Sequence, residues 1–250
     1  MPQDPCMKIL NTDTSIVITS IAGPANPVLQ DYSAKSLLHD VRFIVVGDTM
    51  SPDDFYIDGC NFYSLSRQRN LGYTLIDKLP LKHYARKNIG YLEAITFGSR
   101  IIIETDDDNL ALSGFWNYRD AHVEAASFEE TGWFNVYNRF TNTNVWPRGF
   151  PLTCITRPLI IACQEVKQHF CPIQQGLVKG NPDVDAIYRL TQSTDVTFSP
   201  SVQVVLGRNC WCPFNSQNTT WFVEAFPLLY LPSYCSFRLT DIWVTACLLT

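Results

Sequence analysis

The chain has 250 residues, of which 46% are hydrophobic and 17% are charged, and its formal net charge is −5. This composition can fill the core of one large α/β domain or two small ones. A negative net charge without a basic stripe argues against the extended phosphate-binding surface of a nucleic-acid-binding protein. The sequence has neither a signal peptide nor an apolar run long enough to cross a bilayer, so we expect no membrane span in this chain.

The first 50 residues predict a strand–helix–strand unit. Residues 15–21, Ser-Ile-Val-Ile-Thr-Ser-Ile, predict a buried strand. Residues 28–39 place apolar side chains at helical spacing, and residues 43–46 form an apolar run. A unit of this kind is a right-handed crossover whose strands lie parallel in an open sheet. Thr19 and Asp48 therefore stand at the carboxyl ends of the two strands, where open α/β sheets bind their ligands.

Residues 83–97 predict a helix that ends at Gly98, because glycine is common immediately after a helix. The start of this helix is basic, with Arg86 and Lys87 followed by Asn88. Cations near a helix N-terminus oppose the helix dipole unless an anion binds there. Two interpretations stay open, which are a diphosphate ligand and a basic turn that is simply solvated.

The most informative segment is a buried strand that runs into three aspartates. Residues 101–103 are isoleucines, which is typical of a strand buried on both faces. Asp106, Asp107 and Asp108 follow. Side chains alternate along an extended chain, so Asp106 and Asp108 would point to one side. Such close carboxylates repel one another unless one is protonated or a cation lies between them, and their oxygens suit Mg²⁺ or Mn²⁺. The alternative is an acidic surface turn that caps the next helix.

The second half of the chain is rich in aromatic residues and contains several isolated polar candidates. Residues 135–140 alternate and predict an edge strand. Two prolines and a glycine predict a rigid loop around Arg148, a cation suited to phosphate or carboxylate. Asp183 and Asp185 lie in a later polar segment. Asp241 opens a final helix, where capping is its default role.

Taken in order, several of these segments resemble the STELLO-type glycosyltransferases, a family best known from plants with relatives in animals and protists. The similarity runs in family order from about residue 15 to the end of the chain. The matching segments are Val46-Gly47-Asp48-Thr49 with Ser51-Pro52, Arg86-Lys87-Asn88-Ile89-Gly90-Tyr91-Leu92, Glu104-Thr105-Asp106-Asp107-Asp108-Asn109, Asn144-Val145-Trp146-Pro147-Arg148-Gly149-Phe150-Pro151, Asp183-Val184-Asp185-Ala186-Ile187-Tyr188-Arg189-Leu190 and Phe214-Asn215-Ser216-Gln217-Asn218-Thr219.

A more distant resemblance is to the reversibly glycosylated polypeptides, which are UDP-arabinopyranose mutases. That family also has a triple aspartate at a strand end and an Arg-Gly-aromatic-Pro loop, and the arginine that matches Arg148 becomes glycosylated in it. Both resemblances imply a GT-A fold: an α/β protein with a Rossmann-type, mostly parallel sheet flanked by helices, and a smaller mixed β region in the C-terminal half. We expect one domain over residues 1–250, with a nucleotide-binding half at about 15–110 and a sugar or acceptor half at about 111–250. The chain stops just inside the helix that begins at Asp241, so we expect truncation there.

The resemblance implies a metal-dependent glycosyltransferase that uses a nucleoside diphosphate sugar, with uridine as the expected base. The acceptor, glycan or protein, stays open. The implied site residues are Asp106 and Asp108 for Mn²⁺ or Mg²⁺; Thr19, Asp48, Arg86, Lys87, Asn88 and Asp107 for the nucleotide-sugar; and Arg148, Asp185 and Asp241 for catalysis.

Two alternatives use the same fold. A mutase or self-glycosylating protein would carry the sugar on Arg148, whereas a non-catalytic scaffold would associate with polysaccharide synthases and assist them. The family and the glycosylation sequon Asn218-Thr219-Thr220 favour the Golgi. The lack of a signal or anchor in this chain leaves the cytoplasm open.

Overall fold

The computed structural model describes residues 13–156, 165–192, 196–199 and 203–248. Within these ranges the strands are β1 (Thr14–Thr19), β2 (Arg42–Val46), β3 (Cys60–Tyr63), β4 (Ile101–Thr105), β5 (His122–Phe128), β6 (Gly132–Trp133), β7 (Lys167–Phe170), β8 (Ile173–Gln175), β9 (Val204–Leu206), β10 (Cys210–Trp211) and β11 (Asn218–Phe222). The α-helices are α1 (Pro27–Leu38), α2 (Leu65–Arg69), α3 (Lys87–Thr96), α4 (Ala186–Thr191) and α5 (Thr240–Leu248). Short 3₁₀ helices span Tyr84–Arg86, Ser113–Trp116, Val136–Arg139, Leu152–Cys154, Val223–Leu228 and Phe237–Leu239.

A six-stranded sheet with the strand order β3-β2-β1-β4-β11-β8 forms the centre of the fold. Its first four strands are parallel to one another, whereas β11 is antiparallel to both β4 and β8. The predicted β1–α1–β2 unit and the mostly parallel sheet are therefore confirmed. Because β11 runs against β4, the start of β11 lies beside the end of β4, with Asn218 opposite Thr105.

The sheet is buried on both faces because its central strands are apolar at consecutive positions. Ile16 and Ile18 of β1 belong to a hydrophobic cluster that contains Leu29 of α1. Val17, between them, belongs to a second cluster that contains Ile89 of α3. Since side chains alternate along a strand, α1 and α3 cover opposite faces of the sheet. This confirms the predicted helices on both sides of a Rossmann-type sheet.

Helix α3 lies very close to the sheet at Gly90. A Cβ atom built on Gly90 would lie 2.4 Å from Cγ1 of Val17 and 3.0 Å from Cγ2 of Val46. Any larger residue would push the helix away from β1 and β2. The close approach therefore fixes the position of the basic helix start relative to the strand ends.

A smaller mixed β region follows, as predicted. Strand β5 pairs antiparallel with β7 and parallel with β9. The edge strand predicted at residues 135–140 is wrong, because Val136–Arg139 form a 3₁₀ helix. The side-chain oxygen of Asn135 accepts a hydrogen bond from the backbone N–H of Tyr137 (3.3 Å) and caps that turn. This local side-chain bond favours the turn over an extended chain.

None of the helices in the described part of the chain combines the length and the apolarity needed to span a membrane. The boundary expected at about residue 110, between a nucleotide-binding half and a sugar or acceptor half, stays a prediction.

Candidate functional site

A cleft lies at the carboxyl ends of β1, β2 and β4. It has two adjoining halves of about 340 and 360 Å³, which share Thr19, Tyr84 and Asp107. The first, which we call the β2 half, is lined by Thr19, Ser20, Ile21, Gly47, Asp48, Thr49, Met50, Lys82, His83, Tyr84, Arg86 and Asp107. The second, which we call the acidic half, is lined by Thr19, Tyr84, Asp106, Asp107, Asp108, Arg148, Asn181, Asp183, Arg189, Asn215, Ser216, Gln217 and Asp241.

All three aspartates that follow β4 line the acidic half. The Oδ1 atom of Asp106 lies 2.9 Å from Nζ of Lys87. The carboxylate of Asp107 accepts a hydrogen bond from the hydroxyl of Ser20, which ties the end of β4 to the end of β1. Partial burial, and then the two neighbouring carboxylates, raise the pKa of Asp108. The structure thus brings the three carboxylates to one cleft.

The oxygen atoms of Asp106 and Asp108 suit a hard divalent cation. Among the described residues, no group of three or more His, Cys, Asp and Glu side chains is arranged to hold a metal ion by itself. Mg²⁺, however, is usually bound by only one or two carboxylates, because substrate phosphates supply further ligands. The donor set therefore fits an ion shared with a bound phosphate group, and not a metal cage built by the protein alone.

The basic start of α3 is buried, and its charge is paired within the protein. The Lys87 side chain is fully buried, and its Nζ atom donates to the carbonyl oxygens of Thr105 (2.9 Å) and Ser216 (3.3 Å). Burial alone would lower the pKa of Lys87, but the carboxylates of Asp106 and Glu104 outweigh it and raise that pKa. Lys87 therefore joins the end of β4 to the loop before β11.

Arg86 and Asn88 are also engaged with other parts of the protein. Arg86 donates through Nε to Oε1 of Gln68 (2.9 Å) and through Nη1 to the carbonyl oxygen of Leu79 (3.3 Å). Although Arg86 lines the β2 half, only 3% of it is exposed. Asn88 exchanges two hydrogen bonds with the backbone of Leu231, at 2.7 and 2.8 Å. These contacts hold the helix start in place, and direct contacts to a nucleotide stay a prediction for all three residues.

Thr19 and Asp48 lie at the two strand ends where the sequence places them. Thr19 lines both halves of the cleft, and Asp48 lines the β2 half. The Asp48 carboxylate accepts hydrogen bonds from the backbone N–H groups of Thr49 (2.6 Å) and His83 (3.2 Å). It therefore fixes the segment before α3 against the end of β2.

One wall of the acidic half is formed by Arg148 and Asp183, which are far apart in the sequence. The backbone N–H of Arg148 donates to the carbonyl oxygen of Asp183 (3.2 Å), and the side chains of the two residues form an ion pair. Burial raises the pKa of Asp183 to about 6, although Arg148 acts in the opposite direction. The described lining of the cleft does not include Asp185. Its side chain instead caps α4 by accepting a hydrogen bond from the N–H of Ile187 (2.8 Å).

Asp241 lies in the first turn of α5 and reaches the acidic half, where it is mostly buried. Its Oδ2 atom accepts a hydrogen bond from the hydroxyl of Tyr84 (3.0 Å), and its Oδ1 atom accepts one from the backbone N–H of Ser216 (3.1 Å). Burial raises the pKa of Asp241, and the bond from Tyr84 partly offsets this. Burial also raises the pKa of the Tyr84 phenol, which therefore stays protonated and remains the donor.

Sequence reasoning did not select several polar residues of the acidic half. They are Tyr84, Asn181, Arg189, Asn215, Ser216 and Gln217. The one available signal was the density of amide side chains in residues 215–218. The expected catalytic residues included Asp185 and not Asp183, yet Asp183 lines the cleft and Asp185 caps a helix. A catalytic role for Asp185 stays a prediction.

Comparison with known proteins gives a consistent relationship. No family model matches the chain. The Arabidopsis thaliana protein named "Probable glycosyltransferase STELLO2" is 32% identical over 229 residues, covering 80% of this chain and 29% of that protein. "Probable glycosyltransferase STELLO1" from the same plant is 31% identical over 227 residues, with the same coverage of both chains. The chain thus spans less than a third of the length of these relatives. Over the region that aligns, it belongs to the STELLO-type family.

Proposed function

We propose that the chain is the glycosyltransferase domain of a STELLO-type protein and that it uses a nucleoside diphosphate sugar together with Mn²⁺ or Mg²⁺. The observation that carries the proposal is the convergence of Asp106, Asp108 and Asp241 on one cleft at the carboxyl ends of parallel strands. The names of the two plant relatives support the same reaction class. We propose UDP as the nucleotide part of the donor.

The leaving group of such a reaction is a nucleoside diphosphate, on which negative charge develops as the bond to the anomeric carbon breaks. A divalent ion held by Asp106 and Asp108 would neutralise that charge. Thr19, Asp48 and Asp107 would hold the nucleoside, since they lie at the strand ends in or beside the β2 half. In this arrangement the β2 half would bind the nucleoside, and the acidic half would hold the metal ion and the sugar.

Asp241 is the side chain that we propose to orient a sugar or acceptor hydroxyl and to take its proton. Its carboxylate is fixed by Tyr84 and by the backbone of Ser216 on two sides, so its position is defined before a ligand binds. A pKa raised by burial makes the carboxylate a stronger base than an ordinary aspartate. Asp185, which caps α4, has no comparable access to the cleft.

The mutase alternative, in which Arg148 carries the sugar, requires the guanidinium to act as a nucleophile. A guanidinium must lose its proton before nitrogen can attack, and the ion pair with Asp183 stabilises the protonated form. We therefore propose that Arg148 binds and orients the diphosphate or the sugar. Mass spectrometry after incubation with UDP-sugars should find the peptide that contains Arg148 unmodified.

The proposed function is tested by calorimetry of UDP binding in Mn²⁺ and in EDTA. Wild-type protein should bind only in Mn²⁺, and Asp108→Ala should weaken that binding by at least about 100-fold, since loss of a direct ligand should cost more than loss of an outer-shell partner. Asp54→Ala is the matched control, because Asp54 is an exposed aspartate outside the described lining of the cleft.

Two results would contradict the proposal. Equal affinity for UDP in Mn²⁺ and in EDTA would exclude a metal-dependent site. Failure of every UDP-sugar tested to release UDP in the presence of the wild-type protein, Mn²⁺ and a panel of glycan acceptors would exclude the transfer reaction with these donors.

A further inference from the structure

The cations that line the cleft differ in how they are paired. In the described part of the chain they are Lys82, Arg86, Arg148 and Arg189. Arg148 forms an ion pair with Asp183, and Arg189 donates to the side chain of Asn181 at 2.7 Å. Arg86 is bonded to Gln68 and Leu79, as described above. Among the described residues, Lys82 has no hydrogen-bond or ion-pair partner, although Asp48 and Asp107 line the same half of the cleft.

Lys82 is also held in a backbone conformation that its residue type rarely adopts. Its φ angle is +55°, in the left-handed region, where a non-glycine residue is strained. The next residue, His83, is held by two hydrogen bonds, one to its backbone and one to its side chain. The N–H of His83 donates to the Asp48 carboxylate (3.2 Å), and Nδ1 of His83 accepts from the N–H of Ala85 (3.1 Å). The surrounding contacts thus maintain a strained residue at the edge of a cleft.

We infer that Lys82 binds the diphosphate of the donor, an assignment that rests on the proposed function. The sequence placed this task on Arg86 and Lys87, but Arg86 is bonded to Gln68 and Leu79, and Lys87 is paired with Asp106 inside the protein. Lys82 lies just before them in the chain, is exposed, and lines the β2 half beside Asp107, which also borders the acidic half. An unpaired ammonium in this position can form a charge-assisted hydrogen bond to a phosphate oxygen.

Because Lys82 has a positive φ, its replacement by glycine can remove the charge without destabilising the fold. Lys82→Gly removes the charge, and glycine adopts the observed φ without steric cost, so the variant should be at least as stable as the wild type. Lys82→Arg keeps the charge. Lys78→Ala removes an exposed lysine outside the described lining of the cleft and is the matched surface control.

Binding of UDP and of inorganic pyrophosphate is measured by calorimetry at a fixed Mg²⁺ concentration, and the thermal midpoint of each variant is measured alongside. We expect Lys82→Gly to weaken both ligands by about tenfold, the usual scale for one hydrogen bond to a charged group. Lys82→Arg and Lys78→Ala should stay within about twofold of the wild type. A midpoint for Lys82→Gly that equals or exceeds that of the wild type, together with weaker binding, would assign the loss to the missing cation.

Other outcomes would overturn the assignment in distinguishable ways. If the wild type binds UDP and Lys82→Gly binds it equally well, this inference fails while the proposed function stands. If Lys82→Gly loses affinity for UDP but not for pyrophosphate, the lysine does not recognise phosphate and the inference fails. If the wild type binds neither ligand, both the inference and the proposed donor are wrong.

Discussion

Two charged segments of this protein look equally functional in the sequence and behave differently in the fold. The basic segment at residues 86–88 is almost completely buried, and its polar atoms bond to side chains and carbonyl groups of the protein. The acidic segment at residues 106–108 reaches a cleft, where the Asp106 side chain is 39% exposed. One segment uses its charge to join elements of the fold, and the other exposes its charge in a cleft.

The difference follows from where each segment lies relative to the sheet. Residues 86–88 begin a helix that packs against the sheet at Gly90, so their side chains are directed among neighbouring elements. Residues 106–108 come after the last paired residue of a strand, where the sheet ends. A charged residue type alone therefore does not identify a ligand contact. A charged side chain can contact a ligand only if other groups of the protein do not already bond to it.

The largest effect that tests this comparison is expected for Lys87→Met. Methionine fills a similar volume but leaves Asp106 and the carbonyl oxygens of Thr105 and Ser216 without their donor. We expect the free energy of unfolding, measured by urea denaturation, to fall by about 3 kcal/mol. The control is Lys35→Met, because Lys35 forms a half-exposed pair with Asp31 and should cost less than about 0.5 kcal/mol. If Lys87→Met lowered the free energy of unfolding by as little as Lys35→Met, the claim that the buried charge of Lys87 joins elements of the fold would be wrong.

Asp183 tests whether a carboxylate of the cleft titrates near neutral pH. Its pKa in the folded protein is about 6, above the ordinary value of 3.8. Between these values the folded state holds a proton that the unfolded chain has released, so this contribution to stability is present at low pH and is lost as the pH rises through 6. The advantage of wild type over Asp183→Asn in unfolding free energy should therefore be about 2 kcal/mol larger at pH 4.5 than at pH 7.5.

Urea denaturation of both proteins at the two pH values measures this change. Contacts of Asp183 that do not depend on its charge appear as a constant offset in Asp183→Asn, whereas the pH-dependent part reports the carboxyl group, including its ion pair with Arg148 in the ionised form. If the difference in unfolding free energy between wild type and Asp183→Asn is the same at both pH values, or is larger at pH 7.5, Asp183 is not a buried carboxylate with a raised pKa.

The smallest expected effect is that of Arg86→Lys. Lysine keeps the charge but cannot reproduce the fork that bonds to both Gln68 and Leu79, so we expect a loss of about 1 kcal/mol in the free energy of unfolding. The affinity for UDP should stay within about twofold. Unchanged stability combined with much weaker UDP binding would return Arg86 to the ligand-binding role that its position in the sequence suggests.

The first half of the fold was predictable because its signals are local. The apolar runs of β1, β2 and β4 and the helical spacing of α1 predict elements that the structure confirms within a few residues. Local hydrogen bonding also explains what the patterns missed. Asn135 caps a turn where alternation predicted a strand, and Asp185 caps α4 at a position where the resemblance implied catalysis, a role that stays a prediction. In both cases a short polar side chain bonds to nearby backbone, which sequence patterns describe poorly.

Residue patterns alone did not predict the acidic half of the cleft, because it depends on contacts between distant segments. Only the family resemblance indicated Arg148 and Asp241 as residues of the same site. Pro147 pairs with Val184 in an isolated bridge, which brings Arg148 beside Asp183. Asp241 reaches Tyr84 across 157 positions of the chain. The spacing of these residues carries no period or motif that would place them together. Their convergence is a property of the folded chain.

The antiparallel course of β11 determines when this cleft can exist during synthesis. A ribosome that has reached residue 108 has made β4 and the three aspartates, yet Ser216, which bonds to Lys87, comes 129 positions after that lysine. Until β11 inserts beside β4, the triplet is an acidic strand end with one wall missing. The metal and nucleotide binding proposed above should therefore begin only late in translation. A fragment that ends before residue 218 should contain the three aspartates but lack β11 beside β4. We expect such a fragment to lack the complete cleft around the aspartates.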